Sequence, residues 1–170
     1  MLSTKLTPKK AQNLIRKWLL EGGYKIQLIN DPHAHFNILA EDKDGKKVNI
    51  AQSKGKDDVI GINTAALLLD SQKEELNNMD ENERSKILWQ IRLSLINKNV
   101  GFSPIGLPLD FIKVSQVIYY DGLTKDNFMQ RLLLVYRALL LVMWMVERSL
   151  GVEVPSDIDQ EIEESLFYIR

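Results

Sequence analysis

The sequence predicts an α+β fold, an antiparallel sheet flanked by helices. Three observations lead there. Apolar residues alternate with polar ones through much of Tyr24 to Leu69 and again around Val100 to Tyr120, the period of half-buried strands. Apolar residues recur at helical spacing around Trp18, Trp89 and Trp144. The strand runs stay apart from the helix runs, which favours helices packed on an antiparallel sheet over alternating βα units.

Thr7 is placed to cap a first helix, with Pro8 at its first position, where a missing N–H costs little. Leu14, Ile15, Trp18 and Leu19 form its apolar stripe, and Gly22-Gly23 stops it. Tyr24 to Ile29 reads as a strand with Tyr24, Ile26 and Leu28 on one face. Asn30-Asp31-Pro32 turns the chain into a second strand, His35 to Ala40. Asp44-Gly45 predicts a tight type I′ hairpin into Lys47 to Gln52, since both central residues of that turn need positive φ. After a turn at Ser53 to Asp57, Val59 to Leu69 continues the sheet, with Thr64 to Leu69 open to either strand or helix.

Ser71-Gln72-Lys73-Glu74 and Asp80-Glu81-Asn82-Glu83 match the capping box, a cap residue with Glu three positions on. They predict a short helix over 72–78 and a longer one over 81–97. Ile87, Leu88, Ile91, Leu95 and Leu93 are its expected core residues, with Trp89 off that stripe. Val100 to Ser103 reads as a short strand, and Pro104, Gly106 and Pro108 as a stiff loop. Ile112 to Tyr120 is a strong strand, with Ile112, Val114, Gln116, Ile118 and Tyr120 on one face and Lys113, Ser115, Val117 and Tyr119 on the other. Thr124 caps a long helix, Lys125 to Leu150, ended by Gly151. Beyond Pro155 an acidic helix is expected, with Ile158, Ile162, Leu166 and Ile169 on one stripe. The expected organisation is one α+β domain over 1–151 with the acidic helix, 152–170, appended to it.

Composition narrows the function. The chain has 170 residues, 22 Lys+Arg against 23 Asp+Glu and no cysteine. Disulfides, thiolate metal sites, iron–sulfur clusters and a cysteine nucleophile are excluded. The near-zero net charge argues against a general polyanion binder, so nucleic acid is not an expected partner. The first ten residues lack the apolar core of a signal peptide. The apolar run Leu132 to Val146 falls short of the roughly 20 residues of a helical span and carries Arg137 at its centre. The expected location is the cytoplasm, without a membrane span.

Few residues offer chemistry. His33 and His35, two apart on an expected strand, would share a face and make a candidate metal pair, with Asp31 as an oxygen ligand. A third histidine is missing, and a polar turn with two surface histidines is the plainer reading. Asp42-Lys43-Asp44-Gly45 lacks carboxylates at the first and last positions of a calcium loop. No phosphate-binding loop, dinucleotide glycine pattern or nucleophile elbow is present. The lysines between Lys43 and Lys56 interleave with Asp42, Asp44 and Asp57 and lack aromatic partners for bases. Phe111, Tyr119 and Tyr120 read as core or cross-strand packing. No catalytic residue and no cofactor is expected.

The long helix is apolar nearly all round, so it needs cover on more than one side. One side falls to the sheet. The other falls to the first helix, the acidic tail helix or a second copy of the chain. Leu132, Val135, Leu139, Met143 and Trp144 are the expected partner or dimer contacts. Charge is also segregated: Met1 to Lys25 carries +5 and Gly151 to Arg170 carries −5, so the two ends are candidates to meet.

The element order, and segments such as Ile87-Leu88-Trp89-Gln90-Ile91-Arg92 and Val100-Gly101-Phe102, resemble the type III secretion chaperone-like fold shared by YbjN-like proteins. The chain is also similar to a prokaryotic family of unknown function. That resemblance implies a helix, three to four strands, a helix, two strands and a long helix. It also implies a cytoplasmic, non-enzymatic, dimeric protein that binds another polypeptide. The competing reading is a metal-dependent enzyme using His33, His35 and a carboxylate.

Overall fold

The structure, a computed structural model, describes residues 6–150. The order is α1 (Pro8–Glu21), β1 (Lys25–Leu28), β2 (Ala34–Glu41), β3 (Lys47–Ser53), β4 (Val59–Leu67), α2 (Asp70–Asn78), α3 (Glu81–Asn97), β5 (Gly101–Phe102), β6 (Phe111–Tyr119) and α4 (Lys125–Ser149). The strands form one six-stranded antiparallel sheet in the order β1-β2-β3-β4-β6-β5. The α+β class holds. Four strands, within the three to four expected, precede the middle of the chain, where two helices stand in place of the single one the resemblance implies. The expected acidic helix of 152–170 and the pairing of the chain ends lie outside the described residues.

Local chemistry explains most boundaries. Thr7 Oγ1 accepts the Lys10 N–H at the start of α1, and Gly23, at φ +81°, turns the chain out of its end. Asp80 accepts from the N–H groups of Asn82 and Glu83 and so caps α3. At α2 the expected box shifts two residues earlier. The cap is Leu69, whose N–H donates to Oε1 of Gln72, and Ser71 falls inside the helix.

The β2–β3 hairpin corrects the expected turn. Only Gly45 has positive φ, at +78°. Asp42 Oδ1 accepts from the N–H groups of Asp44 and Lys46, while Gly45 N–H donates to Asp42 O. That is a type I turn followed by a left-handed glycine, and the Asp42 side chain selects it by occupying the turn's N–H groups. Thr64 to Leu67 is strand, paired residue for residue with Phe111 to Val114 of β6. Pairing with a neighbour settles what spacing leaves open.

The core lies between the sheet and the helices. Phe36, Ile38, Ala40, Val48, Ile50, Ile60, Ile62, Ile112, Val114 and Ile118 come from one face of the sheet. α1 covers β1 and β2, while α4 lies over β4 and β6. Ile15, Trp18 and Leu19 meet Phe128, Leu132 and Val135 in this layer, with the Trp18 and Phe128 rings 5.9 Å apart. α3 contributes Leu88, Ile91 and Leu95, whereas Leu93 is exposed, contrary to expectation. Leu93 sits beside Trp89 and Ile96 on the helix side turned away from the core, and all three are exposed. α4 is long and apolar enough to cross a membrane by composition, yet its inner side is bedded on the sheet.

Candidate functional site

The two faces of the sheet differ. Among the described residues the helices all pack on the core face, so the opposite face is uncovered. The outer face of such a sheet is ordinarily polar. Here both ends of the β4–β6 pair are apolar. Leu67 pairs with Phe111, Gly61 with Val117 and Val59 with Tyr119, and the alternation of each strand puts all six on the uncovered side. Leu67 is 78% exposed, Phe111 49%, Val117 47% and Tyr119 53%.

The middle of this face is a polar ladder. Asn49, Asn63 and Ser115 lie opposite one another on β3, β4 and β6. Asn49 donates through its side-chain amide to the Asn37 side-chain oxygen, which fixes that end of the ladder. Beside the ladder Ala51 and Gly61 keep the floor low. A methyl group on Gly61 would meet the Asn63 side-chain nitrogen at 3.2 Å. The result is a shallow basin of about 640 Å³ whose lining includes Ala51, Gly61, Asn63, Lys113, Val117 and Tyr119. Charge is mixed around it: Lys47 and Glu41 pair at 3.7 Å at one end, and Lys56, Asp57 and Asp58 stand at the other. The face thus carries apolar residues, amide donors and acceptors, and both charge signs.

The expected metal pair is not assembled. Ala34 pairs with Ser53 but Phe36 pairs with Gln52, so His35 is the extra residue of a bulge and the alternation that would align it with His33 is broken. His35 Nε2 lies 3.3 Å from Asp57 Oδ1. Asp31 is engaged elsewhere, accepting from the His33 N–H at 2.9 Å and from the Asn37 side chain at 3.4 Å. Among the described residues no three His, Asp or Glu side chains converge as metal ligands.

The expected contact residues on α4 divide. Leu132 and Val135 are fully buried and Leu139 nearly so, all within the chain's own core. They are therefore corrected to core residues: the sheet itself covers that side of α4. Met143 and Trp144 remain exposed, at 38% and 37%. Sequence reasoning missed the uncovered face. It placed Val117 and Tyr119 on the second face of their strand but read Phe111 and Tyr119 as packing. Their shared parity with Leu67 across the β4–β6 pair was the available signal, and it requires the register.

Among the described residues this architecture is a two-layer α+β domain with one sheet face uncovered. A family model described as an uncharacterized conserved protein, DUF2299, matches residues 11–146, and the chain belongs to that family. A crystal structure of an uncharacterized protein from Methanothermobacter thermautotrophicus is similar, with a TM-score of 0.77 and 30% identity. The match covers 83% of this chain and 99% of that one. Among functionally curated proteins no match was found.

Proposed function

We propose that this chain is a non-enzymatic polypeptide-binding module that pairs, through its uncovered sheet face, with a second copy of itself. The observation that carries this is the exposure of Leu67 and Phe111 at one end, and of Val117 and Tyr119 at the other, of the β4–β6 pair on the side opposite the helices. Size supports it. The four longer strands, β2, β3, β4 and β6, lie about 4.8 Å apart and run about 24–31 Å, so they present about 500 Å², a large part of the roughly 800 Å² per partner of a standard interface. Mixed charge supports a like partner, because a face with both signs opposes no copy of itself through a single-sign field. A cytoplasmic, chaperone- or adaptor-like role belongs to the same proposal and draws its support from the element order. No observation favours a metal-dependent enzyme at His33 and His35.

The chain contains no cysteine, so a single introduced thiol reports its own surroundings. In a Val117→Cys chain, maleimide labelling should slow as protein concentration rises, while a thiol at exposed Asn13 on α1 keeps a constant rate. Equal, concentration-independent rates at both positions would refute the pairing.

A further inference from the structure

A second cleft lies where β4 leaves the sheet. It is bounded by Ala66 to Leu69, the first turn of α2 and the last turns of α4, and measures about 200 Å³. Of its lining, Leu68 and Val146 are buried, while Leu67, Leu69 and Met143 are exposed. Two polar side chains complete it, Gln72 and Glu147.

Gln72 is the unusual member. It is 7% exposed, and buried polar groups are ordinarily hydrogen-bonded. The other buried polar side chains, Gln52 and Thr64, obey that rule: Gln52 bonds Tyr120 and Lys56 O, and Thr64 bonds Lys47 O. Gln72 uses only its oxygen. Oε1 accepts the Leu69 N–H at 2.9 Å, which fixes the orientation of the amide. Among the described residues its Nε2 has no partner. Nor is that nitrogen sealed in the interior, since Arg16 Nε is the one sealed and unpaired side-chain atom among them. Its N–H donors are therefore left to the cleft that Gln72 lines.

Size and charge specify the occupant. A space of about 200 Å³ is below the roughly 300–1,000 Å³ of a small-molecule or cofactor site and takes one large side chain. Glu147 opposes a carboxylate or phosphate head. A neutral peptide unit suits both polar groups, because it has one acceptor for Gln72 and one donor for Glu147. We propose that this cleft anchors one leucine or methionine side chain of a partner polypeptide. The adjoining peptide carbonyl accepts from Gln72 Nε2, and the adjoining N–H donates to the Glu147 carboxylate. Only Leu67 is shared with the uncovered sheet face, so the anchor does not rest on the proposed self-pairing.

Titration of the isotope-labelled full chain with N-acetyl-leucine N-methylamide, followed by NMR, tests this. The Met143 methyl and the Gln72 side-chain amide should shift together, with a Kd on the order of millimolar, the range of a ligand of about a dozen non-hydrogen atoms. N-acetyl-alanine N-methylamide lacks the anchor and N-acetyl-leucine carries a carboxylate, so each should bind at least tenfold more weakly. Glu147→Gln should bring the acid close to the amide in affinity. Gln72→Glu keeps the oxygen that accepts from Leu69 and removes the donor. At about pH 8, where a carboxyl group is ionised, it should weaken amide binding at least tenfold. The native-chain titrations decide the matter should that variant not fold. Absent shifts at Met143 and Gln72, or equal affinities for the leucine and alanine amides, would overturn the anchor. Equal affinities for the leucine amide and acid would overturn the role of Glu147. Sedimentation of the same samples reads the sheet-face pairing separately.

Discussion

Tyr120 donates its phenolic hydrogen to Oε1 of Gln52 at 2.6 Å, joining the end of β6 to β3 across the intervening β4. Gln52 is fully buried, and its amide in turn donates to the backbone oxygen of Lys56 at 2.9 Å. This network holds the β3–β4 turn that forms one rim of the sheet-face basin. Tyr120→Phe leaves a buried acceptor unpaired and should cost about 1–3 kcal/mol. Urea unfolding of the single variants and of Tyr120→Phe/Gln52→Leu checks it, with the double variant losing less than the sum.

Alkaline pH should destabilise the fold. Burial holds the Tyr24, Tyr120 and Tyr136 hydroxyls protonated above their ordinary value of 10.0, and the neighbouring Asp42, Asp57 and Asp58 charges add to it. A hydroxyl whose folded value is raised contributes stability that is complete below the unfolded value and is lost as pH climbs through the folded one. Melting temperature should therefore be flat approaching pH 10.0 and fall above it. The Tyr136→Phe chain should fall less steeply.

Helix capping offers a local test. Asp80 accepts two backbone N–H groups at the start of α3, and Thr124 accepts one at the start of α4. Asp80→Ala should cost about 1 kcal/mol, as should Thr124→Ala. Chemical denaturation measures both, and the two losses should add, because the caps serve different helices.

Two phenylalanines should separate packing from recognition. Phe128 is fully buried against Trp18, so Phe128→Ala should cost about 3–5 kcal/mol. Phe111 is half exposed beside Leu67, so Phe111→Ala should stay within about 1 kcal/mol in stability while weakening self-association. Denaturation midpoints paired with sedimentation at matched concentrations distinguish the two effects.

Divalent ions should leave the protein unchanged. With His35 drawn to Asp57 and Asp31 engaged by His33 N–H and Asn37, zinc should not shift the melting temperature. His33→Ala/His35→Ala should behave alike with and without the ion.

Much of the fold was legible because its signals are local. Thr7, Asp80 and Thr124 cap helices from their own sequence neighbourhoods, and the faces of β6 follow from alternation alone. What was not legible depends on pairing. The bulge that displaces His35 exists only relative to Gln52 and Ser53 of β3, and the strand state of Thr64 to Leu67 only relative to β6. Leu132, Val135 and Leu139 looked like contact residues because α4 is apolar all round. Which side the sheet takes is decided by packing, not composition. The open face was hidden for the same reason: Leu67 and Phe111 lie far apart in sequence and become one patch only when β4 pairs with β6.

The central claim, pairing through the uncovered sheet face, is tested most directly by sedimentation velocity on the native chain and on Val117→Lys/Phe111→Lys. At about 100 μM, a concentration where moderate interfaces are populated, the native chain should sediment at twice 19.6 kDa and the variant at 19.6 kDa, with both chains folded by circular dichroism. A native chain that remains at 19.6 kDa, or a variant that still pairs, would contradict it.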